Sequence, residues 1–101
     1  MTITYSDYNP SICIPRVAKS TTKNNIINIF QHKLKIGLIK QIYIYNTNDD
    51  NFKKIVIHFK HWNDDAHDIK ELINNDNIIK VVYEFPWFWK CSLFKHKNIK
   101  T

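Results

Sequence analysis

Between residues 52 and 62 (Phe-Lys-Lys-Ile-Val-Ile-His-Phe-Lys-His-Trp), Ile55, Ile57 and Phe59 interleave with Lys54, Val56 and His58. Alternation of period two sends the two sets to opposite faces of a strand. One face can seal a core while the other stays open. Three more stretches read the same way. Residues 11–17 put Ile12 and Ile14 on one side and Cys13 on the other, and Pro15, with no N–H to donate, limits regular pairing there. Residues 38–46 put Ile39, Ile42 and Ile44 inward and Tyr43 and Tyr45 outward. Residues 78–84 put Ile79, Val81 and Tyr83 on one face, Lys80 and Val82 on the other.

Helical spacing separates these strands. Thr21 or Thr22 can cap a helix to about residue 35, with Ile26, Ile27, Ile29, Phe30 and Leu34 on one side. Gly37, the only glycine, follows where a helix needs a left-handed stop. Asn63 or Asp64 can cap a second helix to about residue 75, with Ala66, Ile69, Leu72 and Ile73 as its buried stripe. The polar run 46–51 (Asn-Thr-Asn-Asp-Asp-Asn) suits a hairpin turn. The order β-α-β-β-α-β predicts a two-layer α+β sandwich: a four-stranded antiparallel sheet with both helices on one face and the other face open. Residues 1–10 read as a leader, 11–85 as the domain and 86–101 as an aromatic and basic extension.

Composition changes this picture little. At 101 residues the chain is one domain, and 44% apolar residues with 14% aromatics exclude disorder. The net charge of +6 suggests a polyanionic partner. Yet Arg16 is the only arginine, and heavy use of Lys, Asn and Ile is what an AT-rich genome produces without selection for binding. Cys13 and Cys91 make neither a Cys-x-x-Cys pair nor a disulfide framework, so the expectation is free thiols in an intracellular setting. No apolar run reaches the length of a membrane span and no signal pattern opens the chain, so no membrane partner is expected.

The hexamer Ile12-Cys13-Ile14-Pro15-Arg16-Val17 and the strand 53–59, with this order of elements, resemble the RNA recognition motif family. The resemblance covers roughly residues 11–85 and implies a ferredoxin-like βαββαβ fold that binds single-stranded RNA. More narrowly, Ser-Ile-Cys-Ile-Pro-Arg-Val, Ile-His-Phe-Lys-His-Trp and the ending Pro-Trp-Phe-Trp-Lys are similar to small proteins of large DNA viruses of protists. That likeness implies host cytoplasm, nucleus or virion as the location. In the parent family, aromatics on the two central strands stack on bases. Matching the motifs puts Cys13, Lys54 and Val56 at those three positions, so the usual stacking set is missing.

Two groups can replace it. Tyr43 and Tyr45 project onto the open face. Trp87, Phe88 and Trp89 follow Pro86 and either fold back as a lid over Cys13, Val56 and Val82 or stand exposed as anchors for RNA or a protein. Five of the nine acids (Asp64, Asp65, Asp68, Glu71, Asp76) lie on or beside the second helix. Lys80, Lys90, Lys95, Lys97 and Lys100 make the later strand and tail basic. His58 and His61 lack a second Cys/His pair at zinc-finger spacing, so no metal is expected. No phosphate loop, nucleophile elbow or buried carboxylate pair is present, so neither catalysis nor a cofactor is expected. The resulting expectation is a non-enzymatic module for single-stranded RNA, with Arg16, Tyr43, Tyr45, Lys54, Val56, His58, Lys80, Trp87 and Trp89 as the binding set. The alternative is a protein-interaction or self-association module, a viral structural or replication-site component, acting through the open face or the Trp87–Trp89 segment.

Overall fold

The sheet has five strands rather than four. The structure, a computed structural model, describes residues 9–95. Most of the expected leader (residues 1–8) and the end of the tail, with Lys97 and Lys100, lie outside the described residues. In chain order the elements are β1 (Ile12–Ala18), α1 (Lys23–Ile27) continuing as a π-helical segment (Asn28–Lys33), β2 (Gly37–Asn46), β3 (Phe52–Trp62), a 3-10 turn (Asp64–Ala66), α2 (His67–Asn74), β4 (Ile79–Glu84) and β5 (Trp87–Leu93). The strand order is β2-β3-β1-β5-β4, with every pair of neighbours antiparallel.

The fifth strand comes from the stretch expected to trail the domain. Phe85–Pro86, joined by a cis peptide, turns the chain between β4 and β5. β5 then pairs with β1, Ile12 opposite Leu93 and Cys13 opposite Ser92. The expected last strand, β4, stays at the sheet edge but is thereby separated from β1. β3 and β5 both lie antiparallel to β1 and so run the same way. The crossover through α2 therefore closes on β5, by way of the β4–β5 hairpin, and not on β4.

The core lies on one face of this sheet. Ile12, Ile14, Ile55 and Ile57 are fully buried there with Ile26, Phe30, Ile36 and Ile73 from the helical layer, so both helical segments pack on that face. Burying one such side chain stabilises the fold by about 1.5–3 kcal/mol. The alternation along β1, β3 and β4 places the expected residues inward. In β2 the pairing slips between Leu38 and Gln41, which lets Ile39 and Ile42 share the inner face although three positions apart. Leu34 and Leu72, expected in the buried stripes, are exposed: Leu34 is the C-cap residue of the π-helical segment, and Leu72, although inside α2, leaves the core to its neighbour Ile73.

Local chemistry fixes the ends. Thr22 caps α1 in a capping box with Asn25, each side chain bonding the other's backbone N–H. Asn63 makes no cap bond to the second helical segment; its amide donates to the Lys35 carbonyl instead. The left-handed stop after the first helix is Lys35 (φ 52), not Gly37. Gly37 opens β2, where a Cβ would meet the His61 carbonyl oxygen and come within 2.9 Å of the Trp62 Cα. Glycine is required there by close backbone approach and not by φ. After α2, Asp76 is left-handed (φ 65), and Asp76 and Asn77 donate to the Ile73 and Leu72 carbonyls in a Schellman pattern. In the 46–51 turn, Thr47 Oγ1 donates to the Asp49 carbonyl and Asp49 Oδ1 accepts from Asn51 N–H. Asn9 and Pro10, at the end of the expected leader, strap the end of β3: Trp62 donates its indole N–H to the Pro10 carbonyl at 2.8 Å.

Candidate nucleic-acid interface

Antiparallel register sets the open face out in rows, because directly opposed residues share a face. One row runs Ser92–Cys13–Val56–Tyr43 across β5, β1, β3 and β2. A second, toward the start of β1, holds His58 and Gln41. A third sets Lys54 opposite Tyr45 and, on the far hairpin, Lys80 opposite Lys90.

Tyr43, Tyr45, Lys54, Val56 and His58 come together on this face. Tyr43 and Tyr45 are 45% and 47% exposed, with ring centroids 6.4 Å apart. The His58 ring meets Tyr43 edge-on at 5.4 Å and Phe94 edge-on at 5.8 Å, and His58 Nδ1 lies 2.6 Å from Ser11 Oγ. Tyr45, Tyr43, His58 and Phe94 thus form one aromatic track across the sheet. Phe94 was missed in the sequence reading, although the stretch 87–94 (Trp-Phe-Trp-Lys-Cys-Ser-Leu-Phe) carries the signal. Period two along it separates Phe88, Lys90, Ser92 and Phe94 from Trp87, Trp89, Cys91 and Leu93.

Val56 is on the expected face but fully buried, so it can floor a site and cannot present a surface. Trp89 is not on this face at all. It is 4% exposed, pointing into the core, stacked on Tyr83 (4.3 Å, 16°) and parallel to Phe30 (6.2 Å, 5°). This removes it from the binding set and rules out the lid. β5 pairs in register with β1, which turns Trp89 and Cys91 inward beside Ile12 and Phe88 outward. Trp87 is 63% exposed at the end of the β4–β5 hairpin, away from Val56 and Cys13.

The cations fall beside rings. The Arg16 guanidinium lies 3.9 Å over the Phe52 ring and 3.9 Å from an Asp49 carboxylate oxygen. Lys54 Nζ sits 5.7 Å from the Tyr45 centroid and Lys80 Nζ 5.0 Å from that of Phe88. A bulge in β1 between Ile14 and Val17 brings Arg16 out onto this surface. Lys53 turns the other way, donating to the Thr21 carbonyl at 3.2 Å.

Burial raises the Cys13 thiol pKa above its ordinary value, with the Lys54 charge opposing. Cys91 is pushed up to about 12, by burial first and by Cys13 second. Neither is a poised nucleophile. Among the described residues no three His, Cys, Asp or Glu side chains gather as metal ligands would, and no helix is long and apolar enough to cross a membrane. A cleft of about 540 Å3 opens on the helical side, lined by Thr21, Asn25, Asn28, Lys33, Glu84 and Trp89 among others. It is remote from the aromatic track. Comparison with known proteins finds no matching family model, no matching curated protein and no matching solved structure.

Proposed function

We propose that this chain is a non-enzymatic module of RNA-recognition-motif type that binds single-stranded RNA on its open sheet face. The observation that carries the reading is the track of Tyr45, Tyr43 and His58, two of its rings nearly half exposed, on a surface that also presents Lys54. Exposed rings give bases a stacking platform indifferent to sequence, and neighbouring cations take phosphates. The motif resemblance of β1 and β3 supports it, with β2 supplying the rings that Cys13, Lys54 and Val56 do not. Among the expected residues, Arg16, Tyr43, Tyr45, Lys54, His58 and Lys80 keep their roles as contacts, and Trp87 stands at the rim.

Fluorescence anisotropy with a labelled single-stranded RNA tests the reading. Tyr43→Ala weakens binding roughly 5- to 150-fold, the equivalent of about 1–3 kcal/mol for one stacked base. Affinity that ignores both this change and salt refutes it. A protein-interaction reading is favoured by a different observation: Val82, Phe85 and Trp87 are exposed together on the β4–β5 hairpin. Mass that rises with concentration, with no response to RNA, selects that reading.

A further inference from the structure

The open face carries one feature that stacking does not explain. Lys80 and Lys90 stand directly opposite each other on β4 and β5. Like charges so opposed destabilise a sheet. Among the described residues no ion pair engages Lys80, Lys90 or Lys54, although Asp49 engages Arg16. These cations are also at one level. Cys13 is opposite Ser92, and carrying that register two residues on sets Pro15, in the β1 bulge with Arg16, abreast of Lys90. The same bulge lies against β3 between Lys53 and Ile55, at Lys54, which is opposite Tyr45. A line from β4 to β2 therefore meets Lys80, Lys90, Arg16, Lys54 and Tyr45 in turn. Strands about 4.8 Å apart make the span from Lys80 to Lys54 roughly 14 Å.

The cations of all three cation–aromatic contacts among the described residues stand on this line: Lys80 with Phe88, Arg16 with Phe52, Lys54 with Tyr45, the two phenylalanines lying one row to the side. A cation beside a ring matches the repeat unit of a single strand, one phosphate and one base. We infer that this row is a phosphodiester track crossing the sheet at right angles to the strands. Each cation takes a phosphate, and Phe88, Phe52 and Tyr45 take base faces beside it. The repulsion between Lys80 and Lys90 is relieved by the two phosphates they take. The inference rests on the RNA-binding reading above and deepens it, assigning roles to Phe52, Phe88 and Lys90.

The test is the salt dependence of RNA affinity, measured on the full chain by anisotropy with a labelled oligouridylate over a range of KCl. Each phosphate contact on a single strand contributes about 0.7 to the slope of log K against log[salt]. Lys80→Gln/Lys90→Gln flattens the slope by about 1.4, the sum of two such contacts. Lys23→Gln/Lys70→Gln, on the helical layer, leaves the slope unchanged. Phe88→Ala weakens binding at every salt concentration without altering the slope. Circular dichroism confirms that each variant is folded. If Lys80→Gln/Lys90→Gln keeps the original slope, or the helical-layer pair lowers it equally, while Tyr43→Ala still weakens binding, the track is overturned and the RNA reading stands. If the unaltered chain binds no RNA at any salt concentration, both fall.

Discussion

Trp89 lies face to face with Tyr83, ring centroids 4.3 Å and planes 16° apart, on the core side of the sheet. This contact shows which way the aromatic ending turns. With β5 paired to β1, it keeps Trp89 in the core and leaves Trp87 and Phe88 as the exposed members of the trio. The open face is therefore not roofed by the tail's indoles.

The first consequence is an asymmetry between two tryptophans two residues apart. Trp89→Ala removes a buried ring and costs about 3–5 kcal/mol, while Trp87→Ala stays within about 0.5 kcal/mol. Urea denaturation compares them. In the folded chain iodide quenches Trp87 alone, since Trp62 and Trp89 are buried. Trp87→Phe should abolish the quenchable fraction.

Lys35 and Gly37 exchange the roles that their residue types suggest. Lys35→Gly relieves a left-handed backbone and stabilises by about 0.5–1 kcal/mol. Gly37→Ala drives a Cβ into the β3 backbone at His61 and Trp62 and destabilises by about 3 kcal/mol. Thermal melts of the two variants should shift in opposite directions.

The Cys91 thiol ties stability to alkaline pH. Its folded pKa is raised from 9.0 to about 12, so the unfolded chain releases this proton first. The stabilisation is complete below about pH 9 and is lost as pH rises toward 12, by up to about 1.4 kcal/mol per pH unit. Cys91→Ala should flatten the stability profile over that window. In the native protein at neutral pH, Cys91 should resist alkylation until the chain is unfolded.

Asp49 competes with RNA for Arg16. Both side chains are well exposed, so the pair contributes only about 0–1 kcal/mol. Asp49→Asn frees the guanidinium and should tighten RNA binding about two- to fivefold at low salt, with little change in melting temperature. Unchanged affinity would remove Arg16 from the contact set.

The strand faces were legible in the sequence because period two is a local property. Ile55, Ile57 and Phe59 against Lys54, Val56 and His58 needed no partner to be sorted, and the same holds for Tyr43 and Tyr45. The α+β class followed from the order of such stretches. The helices were harder to read, since Leu34 continues an apolar pattern past the last helical residue, and Leu72 sits exposed beside the buried Ile73 within α2.

What alternation cannot say is which of its two faces is inside. Along 87–94 it separates Trp89 from Phe88, yet both sets are aromatic enough to fill a core. The choice falls to register: Leu93 opposite Ile12 turns Trp89 inward and Phe88 out. Register joins residues some eighty positions apart, and nothing in the local pattern encodes it. The same holds for the place of β5 between β1 and β4, and for the line of Lys80, Lys90, Arg16 and Lys54, whose members are neighbours only once the strands are paired. By itself the sequence determined four of the five strands and their two faces; the pairing of distant strands made 87–93 the fifth and decided which face became core and which residues meet on the surface.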